Sequence, residues 1–209
     1  VVVTFPGHES DKWILTKGKL TVENCVNNAE VDGLERTGAF VGNYTGVDLT
    51  VKGCVNNAKI TSNDKHYVGG IVGGTETGDT ATITNSFVIE NCVNYGEIKA
   101  AAVKDASIYA AGIVAYAWGG GISEGQLPNG TVGNINYGKV NVDATLVTSK
   151  TNYVGGILGY VNSANYEIKN NVNAGEIAVT AGTNNIITLI SYNKAIDSVA
   201  NGMFANNYA

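Results

Sequence analysis

A short asparagine-rich phrase returns five times along the chain, and two of its columns alternate in charge from copy to copy. The copies are Glu23-Asn24-Cys25-Val26-Asn27, Lys52-Gly53-Cys54-Val55-Asn56, Glu90-Asn91-Cys92-Val93-Asn94, Val132-Gly133-Asn134-Ile135-Asn136 and Lys169-Asn170-Asn171-Val172-Asn173. Three residues past the shared Asn, the second charged column reads Glu30, Lys59, Glu97, Lys139, Glu176. Alternation of sign is what a stack needs, because neighbouring strands lie about 4.8 Å apart and like charges in one file repel. Copies strung out like beads have no use for it. The repeat therefore predicts stacked coils.

A glycine-rich phrase interleaves with the first: Gly38-Ala39-Phe40-Val41-Gly42, Gly69-Gly70-Ile71-Val72-Gly73, Ala111-Gly112-Ile113-Val114-Ala115 and Gly155-Gly156-Ile157-Leu158-Gly159. Ile187-Thr188-Leu189-Ile190-Ser191 reads as a worn fifth copy, and Ser198-Val199-Ala200-Asn201-Gly202 as a worn sixth asparagine phrase. Counted at Cys25, Cys54, Cys92, Asn134 and Asn171, the spacing runs 29, 38, 42 and 37 residues. Fixed phrases with elastic gaps describe a solenoid that keeps its strands and varies its loops. The expected fold is an all-β, right-handed parallel β-helix of five to six irregular coils with three short strands each. The repeat domain is taken as residues 20–209, with 1–19, including Val1 to Phe5 and Trp13, as an N-terminal cap.

Three strands per coil follow from the apolar positions. Val22, Val51, Ile89 and Ile168 precede the cysteine column, and Val26, Val55, Val93, Ile135 and Val172 follow it. Both sets read as inward, so Val93→Asp is expected to prevent folding. Turns are expected at Asn94-Tyr95-Gly96, Asn136-Tyr137-Gly138 and Asn173-Ala174-Gly175, where positive φ suits Asn and Gly. Val31, Ile60, Ile98, Val140 and Ile177 open the second strand, and the glycine phrase is the third. The shared Asn27, Asn56, Asn94, Asn136 and Asn173 are expected to hold turns and to hydrogen-bond along the axis as a ladder.

Composition narrows the function. The net charge of −5, with thirteen scattered Lys and Arg, argues against nucleic acid, which needs a basic stripe. No apolar run approaches the roughly 20 residues of a membrane-spanning helix. The chain opens in mid-strand at Val1-Val2-Val3 without Met and is expected to be a mature or trimmed form. Cys25, Cys54 and Cys92 share one column, continued by Asn134 and Asn171, and are read as small buried stacked side chains whose neighbouring thiols can oxidise in pairs. No metal and no cofactor is expected.

These phrases resemble the GLUG repeat of bacterial surface and secreted proteins, in which a Gly-Gly-hydrophobic-hydrophobic-Gly segment precedes Ile-x-Asn-Cys-x-Asn-x-Gly-x-Val. Gly69 to Gly73 followed by Ile89-Glu90-Asn91-Cys92-Val93-Asn94-Tyr95-Gly96-Glu97-Ile98 fits nearly throughout. Asn134 and Asn171 in place of cysteine, and long inserted loops, depart from it. The resemblance implies a surface scaffold of the adhesin-like kind found in gut Bacteroidetes, and carries no catalytic residues.

No nucleophile elbow, zinc motif or phosphate loop appears. Acids that fall in register pair with Lys, whereas Asp79, Asp105, Glu124 and Asp143 sit in loops. Arg36 is the single arginine, His66 reads as a surface residue, and Asp64 and Asp79 lack the repeat context of a calcium site. Tyrosine is the remaining candidate. Tyr67, Tyr109 and Tyr153 precede the third strand, and Tyr116, Tyr160 and Tyr192 follow it. If exposed, such rows make a flat platform for sugar rings or a protein. Trp118, Tyr116, Tyr160, Tyr109 and Tyr153 are the expected binding residues, beside the insertions at 99–110, 116–130 and 141–153, since loops on rigid scaffolds commonly carry binding. The function expected is a non-enzymatic, extracellular or outer-membrane-surface binding or spacer module for a glycan or protein ligand. The alternative is a polysaccharide lyase or glycoside hydrolase on a β-helix. At the worn C-terminal coil, further repeats or another chain are expected to cover the end.

Overall fold

The computed structural model describes residues 8–9, 12–13, 19–44, 48–63, 66–75, 86–118, 129–162, 166–182, 184–193 and 204–209, none of them helical. Each coil contributes to four stacks. The first sheet holds Lys19–Glu23, Asp48–Lys52, Ser86–Glu90, Asn129–Val132, Tyr166–Lys169 and Phe204–Ala205. The second holds Val26–Asn27, Val55–Asn56, Val93–Asn94, Ile135–Asn136 and Val172–Asn173, and the third Val31–Gly33, Ile60–Ser62, Ile98–Ala101, Val140–Asp143 and Ile177–Thr180. The fourth is broken in its early coils, as in Ile108–Ala111 and Val114–Trp118, and continuous later as Thr151–Asn162 and Asn184–Asn193. In these four sheets each strand pairs in parallel with its equivalent one coil away, in register except for a shift between Gly155 and Leu158 where Thr151–Asn162 meets Asn184–Asn193. The chain is a parallel β-helix. Of the expected cap, His8–Glu9 pairs antiparallel with Lys12–Trp13; residues 1–7, 10–11 and 14–18 lie outside the described residues.

Four stacks arise where three strands were expected because the first strand turns a corner. Asn24, Gly53, Asn91, Gly133, Asn170 and Asn206 all have φ between 53° and 68°, in the left-handed region that Asn and Gly enter most cheaply. They form one column. Within it, Gly53 and Gly133 make room for the asparagine of the preceding coil: a Cβ on Gly133 would lie 2.4 Å from Asn91 Oδ1. The Asn94-Tyr95-Gly96 turns, by contrast, contain no positive φ among the described residues.

This corner overturns the inward reading of Val93. In an unbroken strand Ile89 and Val93, four apart, would share a face. The left-handed Asn91 between them shifts the alternation by one. Ile89, Cys92, Asn94, Gly96, Ile98 and Ala100 are buried, while Val93 and Glu97 are half-buried and Tyr95 and Lys99 exposed. Val26, on the first coil, is 58% exposed. The aliphatic file Val26, Val55, Val93, Ile135, Val172 thus runs along the outside.

What occupies the inside is the asparagine file. Asn27 Nδ2 donates to Asn56 Oδ1 at 2.8 Å, Asn56 to Asn94 at 2.7 Å, Asn94 to Asn136 at 2.8 Å and Asn136 to Asn173 at 2.7 Å. The second proton of each amide goes to the carbonyl two residues on in its own coil, at 2.8–3.0 Å. Both donors are used, which is what allows an amide to be buried.

Across the interior these amides meet glycine. A Cβ on Gly70, Gly112 or Gly156 would lie 2.6, 2.2 or 2.4 Å from Cγ of Asn94, Asn136 or Asn173. The first coil has Ala39 at the second position of the phrase, whereas in these three coils that residue is a glycine that seats the next coil's asparagine. Together they divide the interior into two apolar cores. One gathers Leu49, Val51, Phe87, Ile89, Ile113 and Leu158; the other gathers Ile60, Val68, Ile98, Ala110, Val140 and Val154.

The cysteine column is a second polar file. Cys54 Sγ donates to Val22 O at 3.5 Å and Cys92 Sγ to Val51 O at 3.6 Å. Asn134, Asn171 and Asn207 donate to the equivalent carbonyls of Ile89, Thr131 and Ile168 at 3.0, 2.7 and 2.7 Å. Their Oδ1 atoms accept the backbone N–H of Cys92, Asn134 and Asn171. Thiol and amide answer the same two backbone groups, so they interchange. Asn207 also places the sixth asparagine phrase at Ala205-Asn206-Asn207-Tyr208, opposite Lys169-Asn170-Asn171-Val172; Ser198–Gly202, where it was expected, lies outside the described residues.

Gly112→Ala drives a Cβ into Asn136 and into Gly156 O, 2.3 Å away, and is expected to cost about 3 kcal/mol or more by urea denaturation. Val93→Asp, on the outside, is expected to cost less than about 1 kcal/mol in the same measurement. Asn136→Asp sets a carboxylate against two acceptor oxygens in the buried file, which raises its folded pKa. The folded state then binds the extra proton, so the loss is greatest at pH 7 and shrinks as pH falls through the raised pKa; urea midpoints at pH 7 and pH 5 check the sign.

Candidate binding face

The register of the fourth sheet sets two files of residues on its outer side. One runs Arg36, Tyr67, Tyr109, Tyr153, Ile186, and the other Asn43, Gly74, Tyr116, Tyr160, Tyr192. The predicted Tyr109, Tyr153, Tyr116 and Tyr160 are brought together, and Tyr67 joins them. Two pairs within the files are nearly parallel, Tyr109 and Tyr153 at 5.1 Å and 9° and Tyr116 and Tyr160 at 5.3 Å and 8°, whereas Tyr67 stands at 60° to Tyr109. Between files they stand on edge, with Tyr109 at 89° to Tyr160 and 82° to Tyr116, and Tyr153 at 81° to Tyr160.

Offset stacking combined with edge-to-face packing makes a herringbone, the arrangement aromatic quadrupoles favour. It is not the flat platform expected of such rows. Rings in a file cover one another's faces, so the patch presents ring edges and hydroxyls. Gly74 opens the second file at one coil, and the Tyr67 ring leans across to stack on Tyr116 at 4.5 Å and 22°. The guanidinium of Arg36 closes the end, 5.2 Å from the Tyr67 centroid, within cation–π range. The Asn43 amide, with its oxygen 2.7 Å from Arg36 Nη1 and its nitrogen 3.2 Å from Gly74 O, fixes that guanidinium. Burial, with the neighbouring Tyr153, raises the pKa of the Tyr109 phenol. The Tyr109 hydroxyl stays protonated at neutral pH and can both donate and accept.

Trp118 ends the strand Val114–Trp118, opposite Asn162. Strand alternation puts it on the side of Tyr116, and it is half-buried. Residues 119–128 of the insertion that follows lie outside the described residues, as do Asp64, Asp79, Glu124 and the side chains of His66 and Tyr192. Arg36 was missed as a partner of the tyrosine column; its one signal in sequence was its place ahead of the glycine phrase, in step with Tyr67.

Asp105 is tied to the insertion of the next coil, and Asp143, which ends the strand Val140–Asp143 where a loop was expected, to its own turn. Asp105 accepts from the backbone N–H groups of Thr148 and Ser149 at 2.9 and 3.0 Å and from the Ser149 hydroxyl. Those bonds lower its pKa to about 2. Asp143 accepts from the Thr145 N–H at 3.0 Å and hydroxyl at 2.6 Å, and its pKa is likewise lowered. Neither is held neutral as a general acid must be. On the third sheet the alternating column is in step: Val31, Ile60, Ile98 and Val140 donate from their N–H to the carbonyls of Lys59, Glu97, Lys139 and Glu176 at 2.8–3.1 Å. Lys139 pairs with Glu176 at 3.1 Å, and in the first column Lys52 pairs with Glu90 at 3.0 Å. Exposed pairs of this kind contribute about 0.2–1 kcal/mol each.

Compared with protein-family models, with curated proteins and with solved structures, the chain matches none.

The Asp105 tie joins the insertion after the third-sheet strand Ile98–Ala101 to that after Val140–Asp143. Because the folded pKa is depressed, its contribution is complete above the unfolded value near 4 and is lost as pH falls through about 2. The Ser149 amide is expected to stay protected from hydrogen exchange from pH 7 to pH 4 and to lose protection below about pH 2.5, which two-dimensional NMR reads.

Proposed function

We propose that this chain is a non-catalytic binding and spacer module of a bacterial cell-surface or secreted protein of the GLUG-repeat kind, and that the tyrosine herringbone is where it holds a glycan or protein ligand. One observation carries the reading. The interior asparagines are committed to axial ladders and the paired charges to the outer columns, whereas five tyrosines and Arg36 on one outer sheet face are not required to close a coil. Tyrosine brings rigid, amphipathic contact area at little entropic cost. The herringbone locks each ring before any ligand arrives, which lowers the cost of binding.

A rigid rod with variable loops also suits a spacer. Residues 102–107 and 144–150 leave the third-sheet strands without disturbing the register that the stacked strands keep. An extracellular or outer-membrane-surface location in a Bacteroidetes-type bacterium belongs to the same proposal, on the strength of the repeat phrases.

The test is a glycan array and a binding titration with wild type, Tyr153→Ala and Trp118→Ala. Tyr153→Ala is expected to weaken the best ligand at least tenfold, about 1.4 kcal/mol, with Trp118→Ala in the same direction and the melting of each variant reported alongside. Saturable cleavage of a polysaccharide by the wild-type protein, or binding untouched in both variants, would overturn the reading.

A further inference from the structure

We propose that Cys25 and Cys54 form a modification site: a thiol pair that closes to a disulfide between the first two coils by exchange with a small-molecule disulfide such as oxidised glutathione. Three cysteines stand in one file, and they differ in access. Cys25 is exposed, whereas Cys54 and Cys92 are buried. Cys25 and Cys54 precede Val26 and Val55, which pair in register, and Val55 N–H donates to Cys25 O at 2.9 Å. In-register neighbours bring Cα atoms to about 4.8 Å, inside the 4.4–6.8 Å range that a disulfide spans. The Cys54 sulfur reaches back to Val22 O, in the Cys25 coil, at 3.5 Å. Geometry therefore offers one solvent-facing sulfur and one buried sulfur behind it.

The chemistry divides between them. The Cys25 thiolate attacks one sulfur of the small disulfide, the S–S bond of the reagent breaks, and one small thiol leaves. The Cys54 thiolate then attacks Cys25 Sγ and expels the second small thiol. Two protein thiols are oxidised, one small disulfide is reduced to two thiols, and the protons released from the protein are taken up by the leaving thiolates. Cys54 is suited to the second step because it is the next sulfur in the file, one coil from Cys25, and the neighbouring Cys92 side chain lowers its pKa. Cys92, buried and two coils from Cys25 with Cys54 between them, is not a partner in the bond. Beyond it the file continues with Asn134, so no further thiol follows.

Treating the native chain with oxidised glutathione, quenching with acid and mapping peptides by mass tests this. Loss of two of the three thiols, with Cys25 linked to Cys54 and Cys92 still free, is the expected result. Cys54→Ser is expected to stop at a stable glutathione adduct on Cys25. Cys25→Ser, at an exposed position that leaves packing unchanged, is expected to protect both buried thiols, and Cys92→Ala to leave the Cys25–Cys54 bond forming. Three free thiols after treatment of the wild type, a Cys54–Cys92 link, or equal oxidation in Cys25→Ser would overturn the proposal.

Discussion

Vertical superposition governs everything in this molecule. Once equivalent residues lie directly over one another, a polar atom inside the coil has two neighbours of its own kind, one coil away on either side. Asparagine is the side chain that turns this into satisfaction, because its amide both donates and accepts along the axis. Asn56, Asn94 and Asn136 are wholly buried yet saturated. A hydrogen bond of this sort is worth about 0.5–1.5 kcal/mol net, but an unpaired one costs more. The file is therefore less a reservoir of stability than a rule about where a coil must sit. The same rule reaches the glycine phrase, since Gly70, Gly112 and Gly156 exist to let the amide come close, and it accounts for the two phrases always travelling together.

Much of this was legible from repetition. The charge columns and the spacing implied stacking, and the shared Asn implied the ladder. The number of strands and the facing of the Val26 column did not follow, because a single left-handed residue changes the phase of the side chains without changing the spacing of the letters. Asn24, Gly53, Asn91, Gly133, Asn170 and Asn206 share no side-chain chemistry beyond tolerance of positive φ, so the column looks like filler until the backbone is seen. Asn207 was passed over for a different reason. Its phrase, Asn206-Asn207-Tyr208, keeps the doubled asparagine of Asn170-Asn171 but has lost the cysteine and the aliphatic residue that drew attention elsewhere.

The tyrosine face was half legible. Columns of tyrosine can be read directly from register, so the company of Tyr109, Tyr153, Tyr116 and Tyr160 followed from counting. Ring orientation cannot be counted. Whether stacked tyrosines lie open or interlock depends on the torsions that neighbouring files impose, here with interplanar angles of 81–89° where Tyr109 and Tyr153 meet Tyr116 and Tyr160, and 22° where Tyr67 leans on Tyr116. The cation–π contact of Arg36 likewise depends on Asn43 holding the guanidinium, a relation between the two halves of one fourth-sheet strand that no motif announces.

The amides of the buried file all point the same way. Each amide of the file turns its oxygen toward the earlier coil and an N–H toward the later one, from Asn27 through Asn173. Aligned dipoles add, so the file is electrically directional: it leads with the oxygen of Asn27 and ends on the NH2 group of Asn173.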